Sequence, residues 1–429
     1  MVSRQALICV FLGFICPPLG MIASLICIHR DFDSWRAYIA VIALTMGVFA
    51  YHYEPTVQCD LLRYFGLVEK MTGHTYSEAL EIADQTGLIG HDPLYSFIAL
   101  CWIVSKTGNV HWLPFVATTS VYYIGMYITC RCSEDLTENR QEAVEYLYFI
   151  LLAVNFFSIV NNVRNMLSFT LIALAVFRDC HLRKRNPLTY TLYAFGVYMH
   201  LSGIILIAFR ILIPLVKKMR LPLLIIGLAV PNAITHLAPV LNRIQTGSTL
   251  LRRFISLVNS GYLYYTHVDA DWAITVANSG AQKLFKIFYL SSAAAIVVIY
   301  YILIHVLKTR EDESLREKYR HTSMIDFTYF CAVLAIACGP MVMPEYWRFG
   351  CMAILCGAGL YVLLPLLSRG YGRFVQRMYL VFGCCMFVLW FRNLWMYSNV
   401  PIGLARSLLF GPLPSVVLAP FDITAFNML

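Results

Sequence analysis

The sequence predicts an all-α, polytopic membrane bundle of about 11–14 transmembrane or half-membrane helices. Three observations carry this. Hydrophobic residues make up 59% of the 429 and charged residues 13%, where soluble domains carry about 25% charge. Apolar runs close to one membrane thickness recur from end to end. No linker or polar block is long enough to form a water-soluble domain, so residues 1–429 read as one integral membrane domain.

Apolar runs place segments at 5–28, 37–52, 92–106, 111–130, 144–160, 164–178, 188–213, 221–240, 284–307, 325–343, 347–367 and 375–397. The first, Ala6–Ile28, is too long for a signal-peptide core and lacks a small-x-small cleavage site, so it is expected as a retained helix. The tail 401–429 is apolar but broken by Pro412, Pro414 and Pro420, as expected of a surface-lying or re-entrant segment.

The net charge of +9 follows from Lys and Arg gathering in cytoplasmic loops and does not require a nucleic-acid partner. The basic loops are His29–Arg36, Arg178–Arg185, Val216–Arg220, 308–320 and 368–377. The 52–91 loop, the 241–283 loop and the Pro344–Arg348 turn fall on the other face. Two of the basic loops flank one apolar run, 188–213, so simple alternation fails. A break at His200-Leu201-Ser202-Gly203 repairs it, sending one half-helix outward and the next back inward. Asp92-Pro93-Leu94 reads in the same way as the start of a half-helix.

Most of the fourteen cysteines lie inside apolar runs as small hydrophobes. Cys130-x-Cys132 has no second pair at zinc spacing. There is no Walker loop and no G-x-S-x-G. What remains is arginine, histidine and acid at the outer edge. DLLRYF (60–65), NNVRN (161–165), RRF (252–254) and PEYWRFG (344–350) each bring an arginine to the face opposite the cytoplasm, against the usual charge bias. A lone outer arginine often only snorkels to the interface; four together ask for another explanation. The guanidinium fork fits phosphate oxygens bidentately and keeps its charge when desolvated. Arg164 and Arg348, then Arg63 and Arg253, are therefore expected to hold a phosphate or diphosphate headgroup whose apolar tail lies along the helices.

DLLRYF, HDPLYSF (91–97), NNVRNMLSFTLIALA, HLSGIILI and EYWRFG, in that order over roughly residues 50–365, resemble the EpsG-type members of the Wzy polysaccharide polymerases. That family's Arg-Gln pair appears here as Arg164-Asn165, and its acid-Pro as Asp92-Pro93. The resemblance implies a metal-independent, GT-C-like membrane glycosyltransferase without cofactor, in the cytoplasmic (inner) membrane of a bacterium. It would join repeat units carried on a polyprenyl diphosphate at the outer face, in exopolysaccharide, capsule or O-antigen synthesis. The implied companions are membrane lipid, a chain-length regulator protein and a flippase.

In that chemistry the arginines would neutralise the leaving diphosphate. An acceptor hydroxyl needs a general base, for which His200 is the first candidate and Asp60 the alternative. Each also has a plainer role. His200 can bond a neighbouring helix, Asp60 can pair with Arg63 one turn on, Asp92 can N-cap ahead of Pro93, Ser202 can cap a half-helix, and Glu345 can hold Arg348. Asn165 can bond a polar headgroup. Tyr64 belongs with outer aromatics that read first as an interfacial belt. A flippase or transporter of lipid-linked oligosaccharide, or an O-antigen ligase-like enzyme, is the alternative. Carriers often show matched halves with paired broken segments, and the 160–203 stretch has no second copy in the C-terminal half.

Overall fold

The computed structural model describes residues 3–55, 59–86, 94–136, 140–241, 243, 280–309, 323–339, 345–364 and 369–397. Among these residues it contains helices and no strand, as the apolar runs require.

Hydropathy alone merges elements that the backbone separates. The run 5–28 is two helices, α1 (Arg4–Ile15) and α2 (Pro17–Cys27). Pro17 and Pro18 push Cys16 to an extended φ of −151°. The two halves fold against each other so tightly that a Cβ on Gly20 would lie 2.3 Å from the Gly13 Cα. Ser3 returns to Ser34, its backbone N–H 3.2 Å from the hydroxyl. The expected single first helix is therefore a hairpin, and its Pro17 carbonyl meets Thr45 midway along the next helix, α3 (Trp35–Tyr51).

The 52–91 loop also carries structure. α4 (Asp60–Lys70) is amphipathic, burying Leu61, Tyr64, Phe65, Leu67 and Val68. α5 (Tyr76–Gln85) opens on a capping box formed by Thr75 and Glu78. An 11-residue apolar helix, α6 (Tyr95–Ser105), packs on both.

α7 (Trp112–Leu136) runs antiparallel to α3: Tyr51 accepts from Asn109 at one end (2.6 Å), and Trp35 donates to Glu134 at the other (2.6 Å). α8 (Gln141–Ala153) is followed by a break at Val154-Asn155 and by α9 (Phe156–Asn161), where the Asn155 side chain caps Ser158. α10 (Val163–Val176) lies in the middle of the bundle and ends in a π-helical turn, Phe177–His181.

α11 (Pro187–Met199) returns antiparallel to α10, with Thr189 beside Arg178 and Gly196 beside Ser168. His200 leaves the helix at φ −160°, and α12 (Gly203–Leu241) starts three residues later. Gly203 again meets Ser168, and Arg210 reaches back to Asp179, so the chain reverses at 200–203. Met219 is non-helical inside α12, where Pro222 crowds the carbonyl four residues earlier.

The rest of the bundle is α13 (Gly280–Thr309), α14 (Ser323–Ala337), α15 (Glu345–Cys356), α16 (Ala358–Leu363) and α17 (Arg369–Tyr397). Among the described residues three helical stretches are long and apolar enough to cross a membrane unaided: Phe32–Tyr51, Lys283–Leu307 and Gly372–Leu389. The others are shorter or carry polar interruptions, and several of these interruptions gather at one end of the bundle.

Candidate functional site

That end holds the start of α10, the start of α15, the α11–α12 reversal and the buried face of α4. Arg164 is half-buried one residue into α10. Its Nε donates to the Tyr64 hydroxyl at 2.9 Å, and its guanidinium carbon lies 5.3 Å from the Tyr64 ring centre and 5.6 Å from that of Phe97. The two rings meet edge-on at 5.0 Å. Among the described residues no carboxylate pairs with Arg164. Burial raises the Tyr64 phenol above its ordinary range, against the pull of Arg164, so its proton stays on at neutral pH.

Arg348 comes from far along the chain. Phe349 stacks on Phe169 at 5.5 Å, docking α15 against α10. Arg348 then donates to Asn162 Oδ1 at 3.3 Å, across 186 positions of sequence, while the Asn162 amide N–H holds the Ser158 carbonyl at 3.2 Å. Both guanidiniums are close enough to His200 for their charges to act on its ring.

The reversal is pinned from below. The Ser168 hydroxyl lies 2.7 Å from the Gly196 carbonyl and 3.3 Å from that of His200, adding to the backbone N–H bonds that these carbonyls accept from His200 and Gly203. Gly196 and Gly203 both lie against Ile172, at 2.5 Å from where a Cβ would stand, so the close approach excludes a larger residue without a shift.

At the apex, His200 Nδ1 accepts from the Ser202 backbone N–H at 3.2 Å and lies 2.6 Å from the Ser202 hydroxyl. A backbone N–H can only donate, so Nδ1 is the acceptor and the neutral ring carries its proton on Nε2. His200 thus presents a donor where a base was expected, and Ser202 turns to His200 instead of capping α12. Asn165 is buried and reaches Ser202 at 3.5 Å.

Of the remaining expected residues, Asp60 lies one turn from Tyr64 at the edge of this cluster, Arg63 lies outside it, and the others fall beyond description. Arg63 points outward, its side chain 65% exposed, and pairs with Asp60 at 3.4 Å, the plainer of the two readings of that carboxylate. Asp60 still acts electrostatically on Tyr64. Asp92, Arg253 and nearly all of the 241–283 loop lie outside the described residues, as does the tail 401–429. Glu345 opens α15, but its side chain is outside the description.

One residue that sequence reasoning passed over joins the cluster, and another neighbours it along the chain. Phe97 supports Arg164 through its ring. Glu54 is half-buried beside Tyr53, and burial pushes its carboxyl up; Tyr53 in turn accepts from Asn161 at 3.1 Å. A polar residue between an apolar helix and an amphipathic one was the available signal for Glu54. Among the described residues no three His, Cys, Asp or Glu side chains are grouped to hold a metal ion.

The order of these segments decides the family. The EpsG family model matches residues 35–406. The chain belongs to the EpsG family, a family of Wzy-like polysaccharide polymerases. The match extends beyond the motifs at both ends and takes in α3, α7 and α17, so the scaffold as well as the site belongs to it. No curated protein matches the chain. No solved structure matches it either.

Proposed function

We propose that this membrane protein polymerises oligosaccharide repeat units carried on a polyprenyl diphosphate, at the face of the membrane away from the cytoplasm. The observation that supports it best is the convergence of Arg164 and Arg348, with the amides of Asn162 and Asn165, around the His200 reversal at one end of an apolar bundle. Two guanidiniums at the edge of a low-dielectric bundle suit a diphosphate whose tail stays in lipid.

The opposite end supports the orientation. Arg131, Arg140, Arg178, Arg185 and Arg210 lie there, paired with Glu134, Asp33, the Asn186 amide and Asp179. Such a concentration of arginine is cytoplasmic under the positive-inside bias.

In the reaction, an acceptor hydroxyl oxygen bonds to the anomeric carbon of the donor glycan, and that carbon's bond to the diphosphate oxygen breaks. The electron pair leaves with the diphosphate, whose negative charge grows. Arg164 and Arg348 meet that charge with donors already in place. His200 Nε2–H donates to a substrate oxygen, and Ser202 fixes the ring that makes this possible. The hydroxyl proton passes to the Asp60 carboxylate, which the loose contact to Arg63 leaves accessible. No divalent metal is required, because the arginines supply the positive charge.

The test is reconstitution of the purified protein in vesicles with a polyprenyl-diphosphate-linked repeat unit. A ladder of products spaced by one repeat supports the reading. Movement of the intact substrate across the bilayer without a new glycosidic bond would make the protein a carrier instead.

A further inference from the structure

α6 shows two aromatic faces. Phe97 turns inward against Tyr64 and Arg164, and Tyr95, two residues earlier, turns outward with 49% of its surface exposed. Tyr198 stands two residues before His200 and is 42% exposed. Their ring centres are 5.6 Å apart, so they bridge α6 and α11 beside the Arg164 and His200 cluster.

The strip beneath them is held by its own polar groups. Tyr76 donates to the Tyr95 carbonyl at 3.2 Å and packs edge-on against Trp102 at 5.6 Å. Trp102 in turn donates its indole N–H to the His74 carbonyl at 3.0 Å, and Lys106 donates to the same carbonyl at 2.6 Å. In an interfacial belt, tyrosine and tryptophan turn these groups to the headgroups and water. Here Tyr76 and Trp102 use them to brace α6 against α5. The strip therefore runs from the reversal toward a helix with exposed Glu78, Glu81 and Asp84.

We propose that Tyr95 and Tyr198 form a stacking platform for the glycan of the lipid-linked substrate, holding the growing chain between additions. The inference rests on the polymerase reading and adds a sugar site to its diphosphate site. A pyranose ring offers an apolar C–H face that an aromatic ring covers, while its hydroxyls reach the phenol oxygens. A track that ends beside exposed Glu78, Glu81 and Asp84 suits a hydroxyl-rich glycan better than an isoprenoid tail.

The test uses full-length Tyr95→Ala, Tyr198→Ala and the double variant, with Tyr95→Phe and Tyr198→Phe keeping the ring. Folded protein is first matched by size exclusion. Two readouts follow: the length distribution of the product ladder, and calorimetric binding of a lipid-free oligosaccharide of two repeat units. The double alanine variant is expected to give shorter products and to bind the oligosaccharide at least about tenfold more weakly, with the phenylalanine variants close to wild type. Unchanged lengths and binding would overturn the platform and leave an interfacial belt. Loss of polyprenyl phosphate binding with oligosaccharide binding intact would overturn it in favour of a lipid contact. Because oligosaccharide binding is measured without turnover, it still decides the platform if wild-type protein makes no ladder, an outcome that would sink the polymerase reading separately.

Discussion

Arg164→Ala is the substitution that bears hardest on the site. It removes a cation whose Nε is held by Tyr64 at 2.9 Å, leaving the two terminal nitrogens for substrate. Donors fixed in this way are worth about 3–4 kcal/mol in the transition state, on the order of a hundred- to thousand-fold in rate. Arg164→Lys keeps the charge but cannot bond Tyr64 and grip a diphosphate bidentately at once, so it is expected to rescue only part of the loss. Tyr64→Phe removes the tether and keeps the ring 5.3 Å from the cation; a hydrogen bond to a charged group is worth about 1.5 kcal/mol at the low end, roughly tenfold. The double variant Tyr64→Phe/Arg164→Ala should be no slower than Arg164→Ala alone, because both changes act through one group. The assay is single-turnover ladder formation by equal amounts of folded protein. Wild-type rates in Arg164→Ala would take Arg164 out of the site, and full additivity in the double variant would show that Tyr64 does not act through it.

The other predictions test the surroundings. Asp60→Asn should leave stability nearly unchanged, since exposed ion pairs contribute about 0–1 kcal/mol, yet lower kcat by roughly 10²–10⁴ if the carboxylate takes the hydroxyl proton; an unaltered kcat would reduce Asp60 to a surface partner of Arg63. Gly203→Ala forces a Cβ to 2.5 Å from Ile172 and should cost about 1–3 kcal/mol in thermal unfolding, whereas a neutral result would show that the reversal is loosely packed. EDTA should leave turnover intact, and restoration of lost activity by magnesium or manganese would contradict the arginine account. In a cysteine-free variant, single cysteines placed at Arg183 and Arg220 should resist a membrane-impermeant thiol reagent in intact cells, and labelling of either from outside would contradict the orientation.

Much of the scaffold was legible because apolar helices leave long hydrophobic runs: the segments expected at 37–52 and 111–130 overlap most of α3 and α7, and that at 284–307 lies within α13. The reversal at 200–203 showed itself through the basic residues on both sides of one apolar run. Other features left weaker traces. α4 and α5 are amphipathic and disappear in a hydropathy window, although the spacing of Leu61, Tyr64, Phe65 and Val68 and the Thr75–Glu78 box encode them. The Pro17-Pro18 pair that splits the first run was visible as residues, but its consequence depended on Gly13 and Gly20 meeting. In the site, Arg164 and Arg348 stood out by charge. Their convergence did not, since it depends on the Phe169–Phe349 stack and the Asn162 bond between distant segments. His200 was recognisable as a residue of interest, but its donor character depends on where a single backbone N–H points.

The most direct measurement counts leaving groups. Wild-type protein in vesicles is given the polyprenyl-diphosphate-linked repeat unit, and free polyprenyl diphosphate is measured by phosphorus NMR alongside the glycan ladder. One polyprenyl diphosphate is expected for each glycosidic bond formed, with both falling together in Arg164→Ala and Arg348→Ala. Bonds formed without that release, or release and bond formation at wild-type rates in both arginine variants, would contradict this expectation.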